Sequence, residues 1–75
     1  MSQFKSSDLY ESSFLYACGQ HLLRLEGGGQ QKWFVFENKT KCDELSNSFW
    51  AKQAMVNAKE FADAIRTLKD RLFAR

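Results

Sequence analysis

Over the last third of the chain, Phe61, Ile65, Leu68 and Leu72 recur at helical spacing, while Lys59, Glu60, Asp63, Arg66, Lys69 and Asp70 take the rest of the wheel. Asn57 stands ahead of this run as a helix cap, and Glu60 three residues later completes a capping box. Val56 and Phe61 have the spacing of a hydrophobic staple. The pattern predicts an amphipathic C-terminal helix docked on an apolar surface. Near the start, Tyr10, Phe14, Ala17 and Cys18 form another helical stripe, with Leu9 and Leu15 at its margins. Asp8 and Glu11 give that helix a D-x-x-E start with negative charge in its first turn, and Gly19 ends it. Thr40 is the expected cap of a further helix, with Asp43 and Glu44 in its first turn and Cys42, Leu45 and Phe49 on one face.

Residues 21–26 and 32–37 read as two strands of a hairpin. A tight turn centred on Gly28-Gly29 pairs Glu26 with Gln31, Arg24 with Trp33 and Leu22 with Val35. It gathers Leu23, Leu25, Phe34 and Phe36 on one face; a four-residue loop keeps that facing, and a three-residue loop would set Leu23 and Leu25 beside Trp33 instead. Phe4-Lys5-Ser6 and Ala54-Met55-Val56 are candidates for short additional strands. The expected fold class is α+β: an antiparallel sheet built on a central β-hairpin with three helices, in the order (β)αββα(β)α. If both short strands form, the first six elements follow the split βαβ plan of ferredoxin-like domains, with an added C-terminal helix. If neither forms, the hairpin packs directly against three helices. The expected core is Phe14, Leu23, Leu25, Phe34, Phe36, Leu45, Phe49, Phe61, Ile65, Leu68 and Leu72.

The 75 residues are enough for one domain, and 44% hydrophobic with 15% aromatic content is ample for a core. There is no proline and one glycine cluster, so no linker is expected. No apolar run approaches a membrane span, and Met1-Ser2-Gln3-Phe4-Lys5 lacks a secretory hydrophobic segment, so the expected setting is cytoplasmic. In that setting Cys18 and Cys42 read as free thiols. The net charge is +2, split unevenly: residues 1–50 carry 5 basic and 6 acidic side chains, residues 51–75 carry 6 and 3. The C-terminal helix is mildly basic, well short of the usual nucleic-acid-binding domain.

Little in the chain promises chemistry. A strand follows Gly27-Gly28-Gly29, whereas a phosphate loop leads into a helix N-terminus. Cys18-x-x-His21 is half of a metal-site spacing, and no second close pair completes it. His21 is the only histidine, and nothing orients it toward Cys18 as a base. Asp43 and Glu44 are accounted for by the helix dipole. No catalytic residue, metal or cofactor is expected. The strand Lys32-Trp33-Phe34-Val35-Phe36 is apolar on both sides. With Phe34 and Phe36 inward, Leu22, Trp33 and Val35 make a second patch beside Arg24, which could stack on Trp33. That patch is covered by a helix, binds a protein or second copy, or stacks bases. Of the adjacent pair Phe49 and Trp50, Phe49 is expected inside and Trp50 packed on the final helix.

Ser7-Asp8-Leu9-Tyr10, Phe14-Leu15, Gly19, Leu22-Leu23, Trp33-Phe34-Val35-Phe36-Glu37, Phe49-Trp50 and the block from Val56 to Lys69 together span most of the chain. In these segments it resembles a family of short, single-domain bacterial and mobile-element proteins of unknown function. The resemblance implies one compact cytoplasmic domain and supplies no catalytic residues. The leading expectation is a non-catalytic module for protein–protein interaction or self-association. The alternative is a nucleic-acid-binding accessory domain using the basic C-terminal helix. The candidate binding residues are Leu22, Arg24, Trp33, Val35, Trp50, Arg66, Lys69 and Arg71, with Arg75 a further phosphate contact under the alternative.

Overall fold

The computed structural model describes residues 2–28 and 30–74. The elements are β1 (Gln3–Ser6), α1 (Leu9–Ala17), β2 (Leu22–Gly28), β3 (Gln31–Glu37), α2 (Lys39–Trp50) and α3 (Ala58–Leu72). The class is α+β, with three helices and a three-stranded antiparallel sheet among the described residues, in the order βαββαα. Strand β3 lies between β1 and β2. Helix α1 therefore carries the chain from one sheet edge to the other, and the hairpin return fills the place between. Of the two short strands considered, only the first forms. Ala54, Met55 and Val56 join no ladder, so the strand needed to complete a ferredoxin-like sheet is missing among the described residues.

The hairpin is in a different register from the one expected. Glu26 faces Trp33, Leu25 faces Phe34, Gly28 faces Gln31, and Arg24 faces Val35 rather than Trp33. The ladder thus runs through Gly28 instead of turning on Gly28-Gly29; Gly29 itself lies outside the described residues. An irregularity between Leu22 and Arg24 then brings Leu22 opposite Phe36. Leu23 is the extra residue of a bulge, and a bulge reverses the alternation of facing beyond it. That is why Leu22 takes the core place expected of Leu23, which is only half-buried. Gly27 cannot be replaced without strain: its φ is +92°, and a Cβ there would stand 2.6 Å from the Gln31 carbonyl oxygen. Gly27→Ala is expected to cost about 2 kcal/mol or more, read from the urea unfolding midpoint.

All three helices cover one face of the sheet. Phe34, Phe36 and Leu22 meet Phe14, Leu15, Cys42 and Leu68 in one cluster, with Phe4, Leu25, Leu45, Phe49, Val56, Phe61 and Leu72 packed against it. Ile65 was expected in the core and is half-buried outside the cluster. Helix α1 touches α2, α3 and β1, so its burial is not a single stripe: Glu11 through Leu15 are all buried. Leu15, expected at the margin, is fully buried, while Tyr10 is exposed. Ser12 and Ser13 lie fully inside; Ser13 Oγ donates to the Leu9 carbonyl, and Ser12 Oγ has no hydrogen-bond partner among the described residues.

The helix ends follow local chemistry. Asp8 accepts from the Glu11 N–H at 2.8 Å and Asn57 from the Glu60 N–H at 3.0 Å. Helix α2 is capped by Asn38, not Thr40, because Asn38 tolerates the left-handed conformation (φ 63°) in which its side chain reaches the Lys41 N–H. With the start moved back, Asp43 leaves the first turn and pairs with Lys39 at 2.7 Å. Gly19 ends α1 at φ +89°: its N–H and that of Gln20 return to the Tyr16 and Leu15 carbonyls, a Schellman motif. Lys52 ends α2 in the same way, its N–H and that of Gln53 bonding back to Phe49 and Ser48, but with a lysine held at φ 61°.

Candidate functional site

The most ordered polar feature joins β1, α1 and α2. The Glu11 side chain, 7% exposed, turns away from the Asp8 cap and into the protein. Its carboxylate accepts from Ser6 Oγ at 2.6 Å, from Trp50 Nε1 at 2.7 Å and from Ser46 Oγ. Ser46 and Trp50 are one helical turn apart on α2, so both reach the same carboxylate. All three donors are neutral, so hydrogen bonding, not ion pairing, stabilises the buried charge. Trp50 as a residue, by contrast, is 59% exposed. Its ring meets Phe49 in a T-shaped contact (centroids 5.0 Å apart), and Phe49 stacks on Phe14 at 5.5 Å. Trp50 is therefore fixed to α1 through Glu11, not packed on α3 as its sequence position suggested. Tyr10, next to Glu11, is also exposed.

Among the described residues, no helix covers the opposite face of the sheet. Gln3, Lys5, Arg24, Glu26, Trp33, Val35 and Glu37 alternate with the core-facing residues and look outward. The expected apolar patch is not there. Leu22 has joined the core. Val35, though on this outer face, is 0% exposed between its cross-strand neighbours Lys5 and Arg24. Long basic side chains cover apolar surface with their stems while their heads stay wet. Here those heads converge on Glu26: Lys5 Nζ at 2.8 Å and Arg24 Nε at 2.6 Å, with Arg24 also donating to Gln3 Oε1 at 2.9 Å. Hydrogen bonds from Lys5 and then Arg24 hold the Glu26 carboxyl below its ordinary range. Arg24 is committed to this network rather than stacked on Trp33. Trp33 remains 38% exposed, with its ring beside Gly27.

On α3, Lys59 and Arg66 both face Asp63, at 2.8 and 3.8 Å. Lys69 and Arg71 sit in the last turn, where positive charge offsets the helix dipole. Arg75 lies outside the described residues. The structure thus separates the sequence-derived candidates into three places: Arg24 and Trp33 on the sheet, Trp50 at the α1–α2 junction, and the basic residues on α3. Sequence reading overlooked Glu11, Ser6 and Ser46. The available signal was Ser46 and Trp50 at i, i+4 on a helix whose apolar face lies elsewhere.

The thiols and the histidine stand apart. His21 Nδ1 is 3.5 Å from an exposed Glu37 carboxylate oxygen. Cys42 is fully buried with its Sγ 3.5 Å from the Glu37 carbonyl; burial, then the negative charges of Asp43 and Glu11, pushes its thiol up to about 11. Burial also raises the half-buried Cys18 thiol, with Lys41 opposing. Thiolates are the reactive form. Native protein is therefore expected to lose one thiol, Cys18, to iodoacetamide well before the other, with Cys42 modified only at the rate of unfolding, as mass spectrometry of the digested protein will show. Among the described residues, no group of three or more His, Cys, Asp and Glu side chains is placed to hold a metal, and no helix is long and apolar enough to cross a membrane.

Comparison with curated proteins and with solved structures returned no match. Comparison with family profiles did: residues 1–74 match a domain of unknown function. With nearly the whole chain inside that match, the protein belongs to the DUF5659 family of unknown function.

Proposed function

We propose that this domain is a non-catalytic protein-binding module anchored on Trp50. The observation that carries this reading is a tryptophan residue more than half exposed whose indole N–H is held by the carboxylate of a buried glutamate. Tryptophan is the residue most enriched among binding hot spots. An anchor already fixed in its bound orientation loses little side-chain entropy on docking. Tyr10, adjoining the Glu11 junction, extends the surface with a second amphipathic ring. The resemblance to bacterial and mobile-element proteins accords with a small accessory chain that works through a partner.

The nucleic-acid alternative draws less support. Lys5 and Arg24 on the bare sheet face share Glu26, which cancels one of their two positive charges beside Trp33. Two cations of α3 share Asp63, and Lys69 and Arg71 have a role at their own helix terminus.

The test compares wild type with Trp50→Ala and Trp33→Ala as immobilised baits for cell extract, with each retained protein then purified and titrated directly. A partner that binds wild type and Trp33→Ala at equal affinity and loses at least tenfold with Trp50→Ala supports the proposal. A partner indifferent to Trp50→Ala overturns it. Titration with labelled single-stranded DNA, duplex DNA and RNA at low and moderate salt covers the alternative. Saturable binding that weakens steeply with salt and is lost in Lys69→Glu with Arg71→Glu would replace the protein-binding reading.

A further inference from the structure

The segment joining α2 to α3 is at odds with its own composition. Residues 51–57 read Ala-Lys-Gln-Ala-Met-Val-Asn, with no glycine or proline and mostly good helix formers. The segment nevertheless breaks the helix, and it does so with Lys52 in the left-handed conformation that favours glycine. Beyond Gln53, the backbone groups of Ala54, Met55 and Val56 make no hydrogen bond among the described residues. Ala54 and Val56 touch the core, and Met55 between them is 91% exposed.

The reason for the break is positional. Trp50, the end of α2, sits on Glu11 in the first turn of α1. Glu60 and Ala64, near the start of α3, line a groove with Tyr16 and Ala17 at the other end of α1. The connection must therefore run the length of α1, so that α3 can return antiparallel along it. Per-residue propensity permits a continuous helix; the Asn57 cap and the packing of α3 on its own α1 break it. Such conflict between local and global preference marks a place where two structures compete.

We propose that a second copy of this chain resolves the conflict by exchange of α3. Residues 51–57 become helical, α2 and α3 fuse into one rod of roughly 50 Å, and α3 leaves its own α1 for that of the partner copy. The partner's α1 offers the same surface to Phe61, Ala64, Leu68 and Leu72, so the docking contacts are conserved. The balance then rests on the connection. Exchange relieves Lys52 of its left-handed conformation and gives Ala54 to Val56 backbone partners; it forfeits the Ala54 and Val56 contacts and the Asn57 cap. The exchange does not use Trp50, so it stands or falls separately from the partner-binding reading.

Two exposed substitutions move the balance in opposite directions without touching the core. Lys52→Gly suits the left-handed turn and favours the monomer; Asn57→Ala removes the cap of the separate helix and favours the fused one. Sedimentation of wild type and both variants from micromolar to millimolar concentration measures the monomer–dimer constant. Because each dimer contains two connections, Lys52→Gly is expected to weaken dimerisation roughly tenfold or more, and Asn57→Ala to strengthen it by a similar factor. In dimer made from mixed isotope-labelled and unlabelled copies, filtered NMR is expected to show contacts between Ala17 of one chain and Ala64 of the other. Wild type and Asn57→Ala both monomeric at millimolar concentration would overturn the proposal. So would a dimer indifferent to both substitutions, or one lacking intermolecular Ala17–Ala64 contacts.

Discussion

Glu11→Ala is expected to remove roughly 3–5 kcal/mol of stability, because it strips the shared acceptor from three inward-facing donors. For a 75-residue domain whose total stability is about 4–11 kcal/mol, that is enough to unfold a large fraction of the protein. Size alone does not account for the loss. Alanine leaves a void, but it also takes the acceptor from the Ser46 hydroxyl and the Trp50 indole N–H, while the Ser6 hydroxyl keeps only the longer bond to the Asp8 carbonyl at 3.4 Å. Glu11→Gln separates the two effects. Its amide keeps the volume, and serine hydroxyls can turn to accept from its NH2 group; the indole N–H can only donate. The expected cost is about 1–2 kcal/mol, with a shift of the Trp50 indole proton resonance. Urea unfolding of the three proteins at one pH decides it. If Glu11→Gln proves as damaging as Glu11→Ala, the negative charge itself is what the donors need. If Glu11→Ala is as stable as wild type, the junction is not structural.

Leu68→Ala is expected to cost roughly 2–5 kcal/mol, because Leu68 is completely buried where α3 enters the main cluster. In a domain of this size that lowers the melting temperature by about 10–30 °C. Ile65→Ala, one turn earlier and half-buried outside the cluster, is expected to lose about 1 kcal/mol. The contrast tests the docking face: equal losses at the two positions would mean that α3 is rotated on α1. The circular-dichroism melt of each variant gives both numbers, and the low-temperature spectrum shows whether α3 is retained.

Much of the architecture is present in local sequence. The Asn57 cap and the Phe61, Leu68, Leu72 spacing lie within a few turns of one another, and both are found in the structure. Gly19 ends α1 because a left-handed residue is needed there and glycine supplies it. Other readings went astray where two local solutions were nearly equal. Asn38 and Thr40 both can cap, and the left-handed tolerance of asparagine decided for the earlier one. Leu22 and Leu23 both can face inward, and a bulge, invisible to period-two alternation, chose Leu22.

The outward residues were harder to read than the core. Leu22, Arg24, Trp33 and Val35 share a face only in a ladder without the bulge, which alone takes Leu22 to the core side. Sliding the ladder toward the hairpin tip puts Glu26 opposite Trp33 in place of Arg24, and Lys5, from a strand far away in sequence, then closes over Val35. The Glu11 junction depends on donors from three elements, Ser6, Ser46 and Trp50. As text, Glu11 is an acidic residue in a first turn, which the helix dipole already explains.

By itself, then, the sequence determined the class of fold, the existence of each helix and of the hairpin, most of the core face of α3 and the glycine stop after α1. These depend on periodicity, capping and backbone freedom, which act over a single turn of chain. Only the tertiary structure decided the hairpin register, the inward turn of Glu11 and the fixing of Trp50 on α1. Those outcomes are set by which surfaces meet across the chain: an unpaired buried donor or an uncovered leucine costs more than the local preference it overrides.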